Sequence, residues 1–302
     1  MAVKYYLEEM FEPTLLYGLS LAVIGVAAAA HYGRPDLLYG VLAIIGSVLA
    51  QSSVNVISDY FDYTSGLDRE LALKKKGNLS GGSSLLAKGL IKPKQTIALG
   101  LILFTIAGAI GIYLLYVRIQ ILPILVLAAF TILLYSKVVK KIPYLSEPLC
   151  TVNYTLIALG SFIVTSSTFS LPQGLIFSLI PAGILLGGDA LYVNEVPDRE
   201  IDKKYNIKHS VVMLKSSNKI GLYYLIMQTA AYILLDVGVL MKLLPLLTIA
   251  CLVTFPATLY VFRGLYDADS KKYGAYLFVH TISSITFAVI LSISLIWGVN
   301  TL

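Results

Sequence analysis

The sequence is poor in charge and in cysteine. Only 13% of its 302 residues are Asp, Glu, Lys or Arg, whereas an average soluble domain has roughly 25%. This deficit argues against a water-soluble globular protein. The two cysteines, Cys150 and Cys251, have no metal-ligand spacing and are too few for a disulfide framework. They are expected to be small apolar packing residues.

Apolar residues dominate instead. They make up 57% of the chain, and the mean hydropathy is +0.80. Uncharged runs of about 20 residues recur, as a hydrocarbon core of about 30 Å requires of a helix. These runs are continuous rather than alternating, which excludes a transmembrane barrel. The sequence therefore predicts an all-α membrane protein, one domain over residues 1–302, with about nine transmembrane helices in a lipid bilayer.

The predicted helices are Thr14–Ala30, Leu37–Ile57, Thr96–Val117, Ile119–Tyr135, Thr151–Phe169, Gly174–Val193, Ile220–Leu240, Leu243–Phe262 and Ala275–Val299.

The basic residues predict the orientation in the membrane. Twenty of the 23 Lys and Arg residues fall in the N-terminal segment or in the loops after predicted helices 2, 4, 6 and 8. Because basic loops stay in the cytoplasm, the N-terminus and these loops are expected there, and the C-terminus outside. The net charge of +6 then reflects cytoplasmic loops, and no nucleic-acid partner is expected.

Two carboxylate clusters follow predicted helices 2 and 6, on the same side of the membrane. The first contains Asn55, Asp59 and Asp62, and the second contains Asn194, Asp198 and Asp202. In each cluster an Asn precedes an Asp by four positions, so on a helix the polar side chains form one stripe. We expect aspartate-rich stripes at the cytoplasmic ends of helices 2 and 6.

Carboxylates near membrane depth are costly and need a partner. Ion pairing with nearby lysines is one explanation. The other is a hard divalent cation such as Mg²⁺, which uses carboxylates together with substrate phosphates. A secondary transporter that couples to a cation is an alternative of a different class, although both clusters lie on one side and at helix ends.

The paired clusters resemble the two aspartate-rich motifs of the UbiA superfamily of intramembrane prenyltransferases. The first, Asp59-Tyr-Phe-Asp62 with Asp68 six residues further on, most resembles the 1,4-dihydroxy-2-naphthoate prenyltransferase branch. The second continues to Asn206 and resembles the hydroxybenzoate branch, which commonly has Gly at that position. Asn can adopt the left-handed conformation that Gly supplies. Members typically have nine transmembrane helices, so the resemblance covers nearly the whole chain.

The resemblance implies an enzyme that transfers a prenyl group, with Mg²⁺ as cofactor, from a prenyl diphosphate to an aromatic acceptor such as 1,4-dihydroxy-2-naphthoate or 4-hydroxybenzoate. Haem or a glyceryl phosphate lipid is the alternative acceptor. The implied metal ligands and catalytic residues are Asp59, Asp62, Asp198 and Asp202. The expected substrate-binding residues are Asn55, Asn194, Asp68, Tyr135, Lys140, Lys204 and Lys208.

A third element of the family departs from its usual pattern. Family members often carry Tyr-x-x-x-Lys after helix 4, whereas this chain has Tyr135 followed by Val139, with Lys137, Lys140 and Lys141 around it. One residue of the second cluster region, His209, is expected to be an exposed loop histidine.

Overall fold

The computed structural model describes residues 2–12, 14–67, 70, 85–166, 170–267 and 270–298. In these ranges the chain is helical, and its one β-bridge, between Pro35 and Ser166, is isolated. The α-helices are α1 (Ala2–Met10), α2 (Leu15–Tyr32), α3 (Leu37–Ser65), α4 (Pro93–Val117), α5 (Leu122–Leu134), α6 (Ser146–Thr165), α7 (Gly174–Gly183), α8 (Asp189–Glu195), α9 (Arg199–Lys204), α10 (Ser210–Met213), α11 (Ser217–Leu240), α12 (Phe255–Tyr266) and α13 (Tyr273–Trp297).

Eight helical segments in the described ranges are long and apolar enough to cross a membrane. The remaining predicted helix, the fourth, corresponds to a shorter apolar helix, Ile119–Leu134, which begins with a 3₁₀ turn. The prediction of an all-α membrane protein is confirmed.

The outer surface is apolar, as a lipid-facing surface must be. Tyr116 is 92% exposed, Ile112 is 69% exposed and Ile226 is 63% exposed. A soluble protein rarely exposes such side chains in continuous bands, whereas in a bilayer they contact acyl chains. The chain is therefore an integral membrane protein.

Helix α3 extends further than its apolar run. The Asp36 side chain caps its first turn by accepting from the Leu38 and Tyr39 amides. The helix ends only where Gly66 adopts a φ of 91°. The predicted end at Ile57 was therefore eight residues too early, and the first carboxylate cluster lies on the helix itself.

Close helix contacts hold the centre of the molecule together. Helix α6 packs against both α2 and α7. A Cβ added to Gly25 of α2 would lie 2.1 Å from the Ala158 carbonyl oxygen, and one added to Gly183 of α7 would lie 1.9 Å from Thr155 Oγ1. Small residues at such interfaces let helix backbones approach closely. Inside a bilayer the hydrophobic effect does not favour helix–helix contacts over helix–lipid contacts, so this close packing drives helix association.

We predict that Gly25→Ala lowers the apparent melting temperature in detergent, because the methyl group meets the α6 backbone. Overpacking of this kind costs about 1–3 kcal/mol. The matched control is Gly274→Ala, also at a helical glycine, where an added Cβ meets nothing within 4 Å. Equal melting temperatures for Gly25→Ala and the wild type would contradict the close packing of α2 and α6.

Candidate active site

One cavity of about 1210 Å³ occupies the space between the helices. Side chains from α1, α2, α3, α4, α5, α6, α8, α9 and α13 line it. Its charged groups cluster at one end, where α3 and the segment after α8 finish, and the remaining wall is mostly apolar. The cavity thus combines a polar head with an apolar body, as a binding site for an amphipathic molecule requires.

The first stripe lies on α3, as the sequence predicted. Asn55, Asp59 and Asp62 all line the cavity. Asn55 donates to Thr14 Oγ1 at 2.8 Å, which ties α3 to the start of α2. Asp62 accepts from Ser58 Oγ at 3.2 Å and forms an ion pair with Lys140. These contacts orient the stripe towards the cavity.

The second stripe reaches the cavity by an irregular path. Predicted helix 6 was expected to be continuous, but a π-helical turn at Ile184–Gly188 separates α7 from α8. A 3₁₀ turn at Val196–Asp198, with Pro197 in it, then separates α8 from α9. Proline lacks the amide proton that a regular helix needs at this position. Asn194, Asp198 and Asp202 nevertheless all line the cavity.

Lys140 joins the two stripes. Its ammonium pairs with Asp62 and lies close enough to Glu195 and Asp202 to interact with both. Burial alone would lower the pKa of Lys140, but the carboxylates of Asp62 and Glu195 outweigh it and raise the pKa above its usual value. The lysine is therefore charged, and it is the cation closest to the carboxylates in the described part of the cavity wall.

The position of Lys140 explains the departure from the Tyr-x-x-x-Lys pattern. The Lys140 amide donates to the Tyr135 carbonyl at 3.1 Å, so the turn is one residue wider than an α-helical turn. The wider turn accommodates the one additional residue that lies between the tyrosine and the lysine in this chain. The ammonium then lies 5.4 Å from the centre of the Tyr135 ring.

Backbone hydrogen bonds hold the loop after α5 against the loop after α9. The Lys208 amide donates to the Lys140 carbonyl at 2.8 Å, and the Tyr144 amide donates to the Lys208 carbonyl at 3.2 Å. Asn206 makes the preceding bend with a φ of 57°, so the left-handed conformation expected there is confirmed. Glu147 completes the connection by accepting from the Ser210 amide at 2.7 Å and from its hydroxyl at 2.9 Å.

Sequence reasoning missed the contribution of His209 and Glu195. His209 was expected to be exposed, but it is buried and lines the cavity, with Nε2 3.2 Å from Glu195 Oε2. Burial lowers the pKa of His209 to about 4, so the ring is neutral at pH 7. Ligand atoms of Glu195, Asp202 and His209 all lie within 4.8 Å of one another. The only sequence signal for this cluster was its proximity to the second motif.

Tyr135 lines the same end of the cavity. Its hydroxyl is buried and has no hydrogen-bond partner in the described residues. Burial raises the pKa of this phenol well above its usual value, and the carboxylate of Glu195 raises it further. The hydroxyl therefore keeps its proton and is available as a hydrogen-bond donor.

Two predicted substrate-binding residues, Lys204 and Lys208, do not line the cavity, and a third is not described. Lys204 is on the exposed surface and pairs with Glu70 at 2.6 Å. Lys208 is half-buried, and its backbone rather than its ammonium meets the Lys140 loop. Asp68 lies outside the described residues. A substrate contact for each of these three residues stays a prediction.

Acidic side chains outnumber basic ones in the described lining of the cavity. The described lining contains one lysine, Lys140, and seven acidic residues, which are Glu8, Glu12, Asp59, Asp62, Glu195, Asp198 and Asp202. The buried Oδ2 of Asp202 accepts no hydrogen bond from the described residues. Clustered, partly desolvated carboxylates of this kind fit a hard divalent cation that takes oxygen ligands. The fold and the site together define a membrane protein with a carboxylate-rich cavity.

The sequence profile of the UbiA prenyltransferase family matches residues 19–297. The chain belongs to the UbiA prenyltransferase family, since this match covers most of its length. No curated protein matches the sequence.

Several solved structures share the fold. The first concerns digeranylgeranylglyceryl phosphate synthase in membranes, with 17% identity, coverage of 98% of this chain and 99% of that one, and a TM-score of 0.63. An apo UbiA homologue from Aeropyrum pernix K1 has 16% identity, 93% and 96% coverage, and a TM-score of 0.69. A UbiA homologue from Archaeoglobus fulgidus bound to DMAPP and Mg²⁺ has 14% identity, 96% and 98% coverage, and a TM-score of 0.62.

We predict that Lys140→Met lowers the melting temperature, because it leaves the Asp62 carboxylate buried without its cation. Removing one partner of a buried ion pair costs roughly 3 kcal/mol. The exposed neighbour Lys141 provides the control, and Lys141→Met should have no such effect. The double variant Asp62→Asn/Lys140→Met should recover part of the loss, since paired residues couple. Additive effects of the two substitutions would contradict the ion pair.

Proposed function

We propose that this protein transfers a prenyl group from a prenyl diphosphate to an aromatic acceptor, with Mg²⁺ as cofactor. One observation carries the proposal: the carboxylates of both stripes line the same cavity, with Lys140 beside them and a mostly apolar wall elsewhere. A diphosphate is itself an anion and would be repelled from these carboxylates. Divalent cations between the two anionic groups remove that repulsion, and the apolar wall suits a prenyl chain.

We assign Mg²⁺ to Asp59, Asp62, Asp198 and Asp202, which come from both stripes and line the same end of the cavity. When bound, the cations would neutralise the diphosphate and stabilise the charge that grows on it as the allylic C–O bond breaks. The A. fulgidus homologue that binds DMAPP and Mg²⁺ supports the choice of this cation and of a prenyl diphosphate.

Other side chains would hold and orient the donor. Lys140 is a charged donor beside the carboxylates, so it would contact the leaving diphosphate. The free Tyr135 hydroxyl would donate a hydrogen bond to a diphosphate oxygen, and its ring would face the allylic cation. Asn55 and Asn194 would orient phosphate oxygens or metal-bound water.

Asp68, Lys204 and Lys208 complete the proposed donor contacts, on the strength of their place in the motifs.

For the acceptor, we propose 1,4-dihydroxy-2-naphthoate or 4-hydroxybenzoate, since the first motif most resembles the naphthoate branch. A glyceryl phosphate lipid is the second candidate, because the fold is similar to that of digeranylgeranylglyceryl phosphate synthase. Both acceptors would use the same metal and diphosphate chemistry. The transporter alternative loses its support now that the chain belongs to a prenyltransferase family.

We also propose that the carboxylate end of the cavity faces the cytoplasm and that residues 1–302 form one domain. The uneven distribution of Lys and Arg supports this orientation. The N-terminus would then be cytoplasmic and the C-terminus outside.

We predict that purified protein forms a prenylated product only with Mg²⁺, and that Asp59→Asn and Asp198→Asn each lower the rate at least about 100-fold, because charge stabilisation at the diphosphate is lost. The measurement is product formation by mass spectrometry with geranyl or geranylgeranyl diphosphate and each acceptor in turn. Glu200→Gln is the matched control, since this neighbouring side chain is 77% exposed.

The three outcomes of this assay are distinct. A product with an aromatic acceptor supports the whole proposal. A product with the glyceryl phosphate lipid alone would show that the aromatic acceptor is wrong and that the metal chemistry is right. If neither products nor Mg²⁺-dependent binding of a prenyl diphosphate is detected, the proposed function is wrong.

We predict that Tyr135→Phe weakens donor binding about 2- to 10-fold, because one hydrogen bond contributes about 0.5–1.5 kcal/mol. The aromatic ring remains, so the rate at saturating donor should change less. Tyr144→Phe, at a half-exposed position, provides the control. Titration of a non-hydrolysable diphosphate analogue measures the affinities, and unchanged binding by Tyr135→Phe would contradict the assigned contact.

A further inference from the structure

Two amide side chains line the cavity deeper in the bundle than the carboxylates of α3. Gln51 lies on α3, about two turns before Asp59, and Asn153 lies on α6. Both side chains are half-buried. Neither belongs to the two aspartate-rich stripes, and neither is among the proposed donor contacts. They are therefore polar groups of the cavity wall that the donor leaves without a role.

The protein fixes the orientation of the Asn153 amide. Its Nδ2 donates to the Leu149 carbonyl at 3.0 Å and to Thr131 Oγ1 at 3.0 Å. Thr131 Oγ1 itself donates to the Leu127 carbonyl at 2.9 Å, so towards the amide it can only accept. Both protons of the Asn153 amide are thus used, and its Oδ1 accepts no hydrogen bond from the described residues. This oxygen is left as an acceptor on the cavity wall.

Gln51 presents its amide in the same sense. Its Nε2 donates to Asn55 Oδ1 at 3.1 Å, and Asn55 Nδ2 donates to Thr14 Oγ1 at 2.8 Å. Its Oε1 accepts no hydrogen bond from the described residues. Polar contacts between and along helices stabilise a membrane bundle, but here they account for the two amide nitrogens and for neither oxygen.

The two amides lie at similar depths in the bundle. Ser58 Oγ of α3 lies 2.8 Å from Ser136 Oγ, just after the end of α5. Helices α3 and α5 run in the same direction, so Thr131, the partner of the α6 amide, is level with the residue five positions before Ser58. At 1.5 Å per residue this level is about 9 Å from that of Asp59, and Gln51 is about 12 Å from it.

This depth suits the acceptor rather than the donor. An acceptor must contact the carbon that leaves the diphosphate, with about 3–3.5 Å between the reacting atoms. It therefore lies further from the carboxylates than the diphosphate does. A prenyl chain has no O–H or N–H group, so it cannot donate to either amide. A carbonyl oxygen that loses water without gaining a donor costs free energy, and hydroxyl groups of an acceptor would avoid this cost.

We propose that Asn153 Oδ1 and Gln51 Oε1 each accept a hydrogen bond from a hydroxyl group of the aromatic acceptor. The proposal rests on the proposed function of the site. Two oriented carbonyl oxygens suit a ring that carries two hydroxyl groups, so they favour 1,4-dihydroxy-2-naphthoate over 4-hydroxybenzoate, which carries one. A site that is built to bind a hydroxyl rejects an analogue that lacks it, because the polar groups of the site are then left unpaired.

The test measures equilibrium binding of the acceptor by calorimetry, so it needs no turnover. The protein is saturated with Mg²⁺ and a non-hydrolysable geranyl thiolodiphosphate. The ligands are 1,4-dihydroxy-2-naphthoate and its two monomethyl ethers, in each of which one hydroxyl is blocked. We expect the wild type to bind each ether at least about fivefold more weakly than the dihydroxy compound, because one oxygen of the site loses its donor.

Two variants assign the hydroxyl groups. Asn153→Leu should weaken binding of the dihydroxy compound at least about fivefold and of one ether less than about twofold, because that ether already lacks the same hydrogen bond. Gln51→Met should show this pattern with the other ether. A substitution that only disturbs the helix packing would instead weaken all three ligands to the same extent.

Gln228→Met is the matched control, because it removes an amide that does not line the cavity. Gln228 is buried, and its Nε2 donates to Asp189 Oδ2 at 3.0 Å. This variant should lower the melting temperature and leave the ratios of the three affinities unchanged. Asn153→Ala removes the same amide with a smaller side chain, in case the leucine does not fit. Retained binding of the thiolodiphosphate shows that each variant is folded.

Two results would overturn the proposal. One is a wild type that binds the dihydroxy compound no more tightly than its ethers. The other is an equal effect on all three ligands in both Asn153 variants and in Gln51→Met. Failure of the wild type to bind the thiolodiphosphate with Mg²⁺ would instead contradict the proposed function of the site.

Discussion

The placement of several carboxylates inside the helix bundle is the constraint on which this structure depends. Seven acidic side chains line the cavity, and Lys140 is the lysine among the described lining residues. Such a cluster is costly near a bilayer unless cations or hydrogen bonds compensate it. The wider turn after Tyr135 and the backbone hydrogen bonds between the Lys140 and Lys208 loops hold the Lys140 ammonium beside Asp62. These loops therefore connect helices and also supply a positive charge to the site.

The helix packing serves the same end. Carboxylates from α3 and from the segment after α8 are far apart in sequence, and they meet because α6 packs against α3 and also against the π turn and α8. Close contacts at glycines fix these helices against one another without a water-driven hydrophobic effect. The part of the cavity between α3, α4, α5 and α6 is different, because small residues such as Gly46, Gly108 and Gly111 line it. Glycines such as Gly25 and Gly183 therefore allow close helix packing, whereas Gly108 lines the cavity and leaves space in it.

Much of the fold follows from hydropathy, because a span of the bilayer leaves a long uncharged run in the sequence. The stripe of Asn55, Asp59 and Asp62 was predictable too, since helical periodicity relates its members. The π turn at Ile184–Gly188 and the burial of His209 were not, because both depend on tertiary contacts that leave no local pattern. The inward position of Lys140 likewise depends on an irregular turn that a fixed motif spacing does not describe.

The π turn has a consequence for the length of its segment. Its hydrogen bonds span five residues instead of four, so it holds one residue more than an α-helical turn. Each residue of an α-helix rotates the following side chains by about 100°. Removing one residue from Ile184–Gly188 and closing a regular helix would therefore rotate Asn194 and Glu195 away from the cavity. This apolar stretch carries no functional group, yet its residue count sets the direction in which the second carboxylate stripe faces.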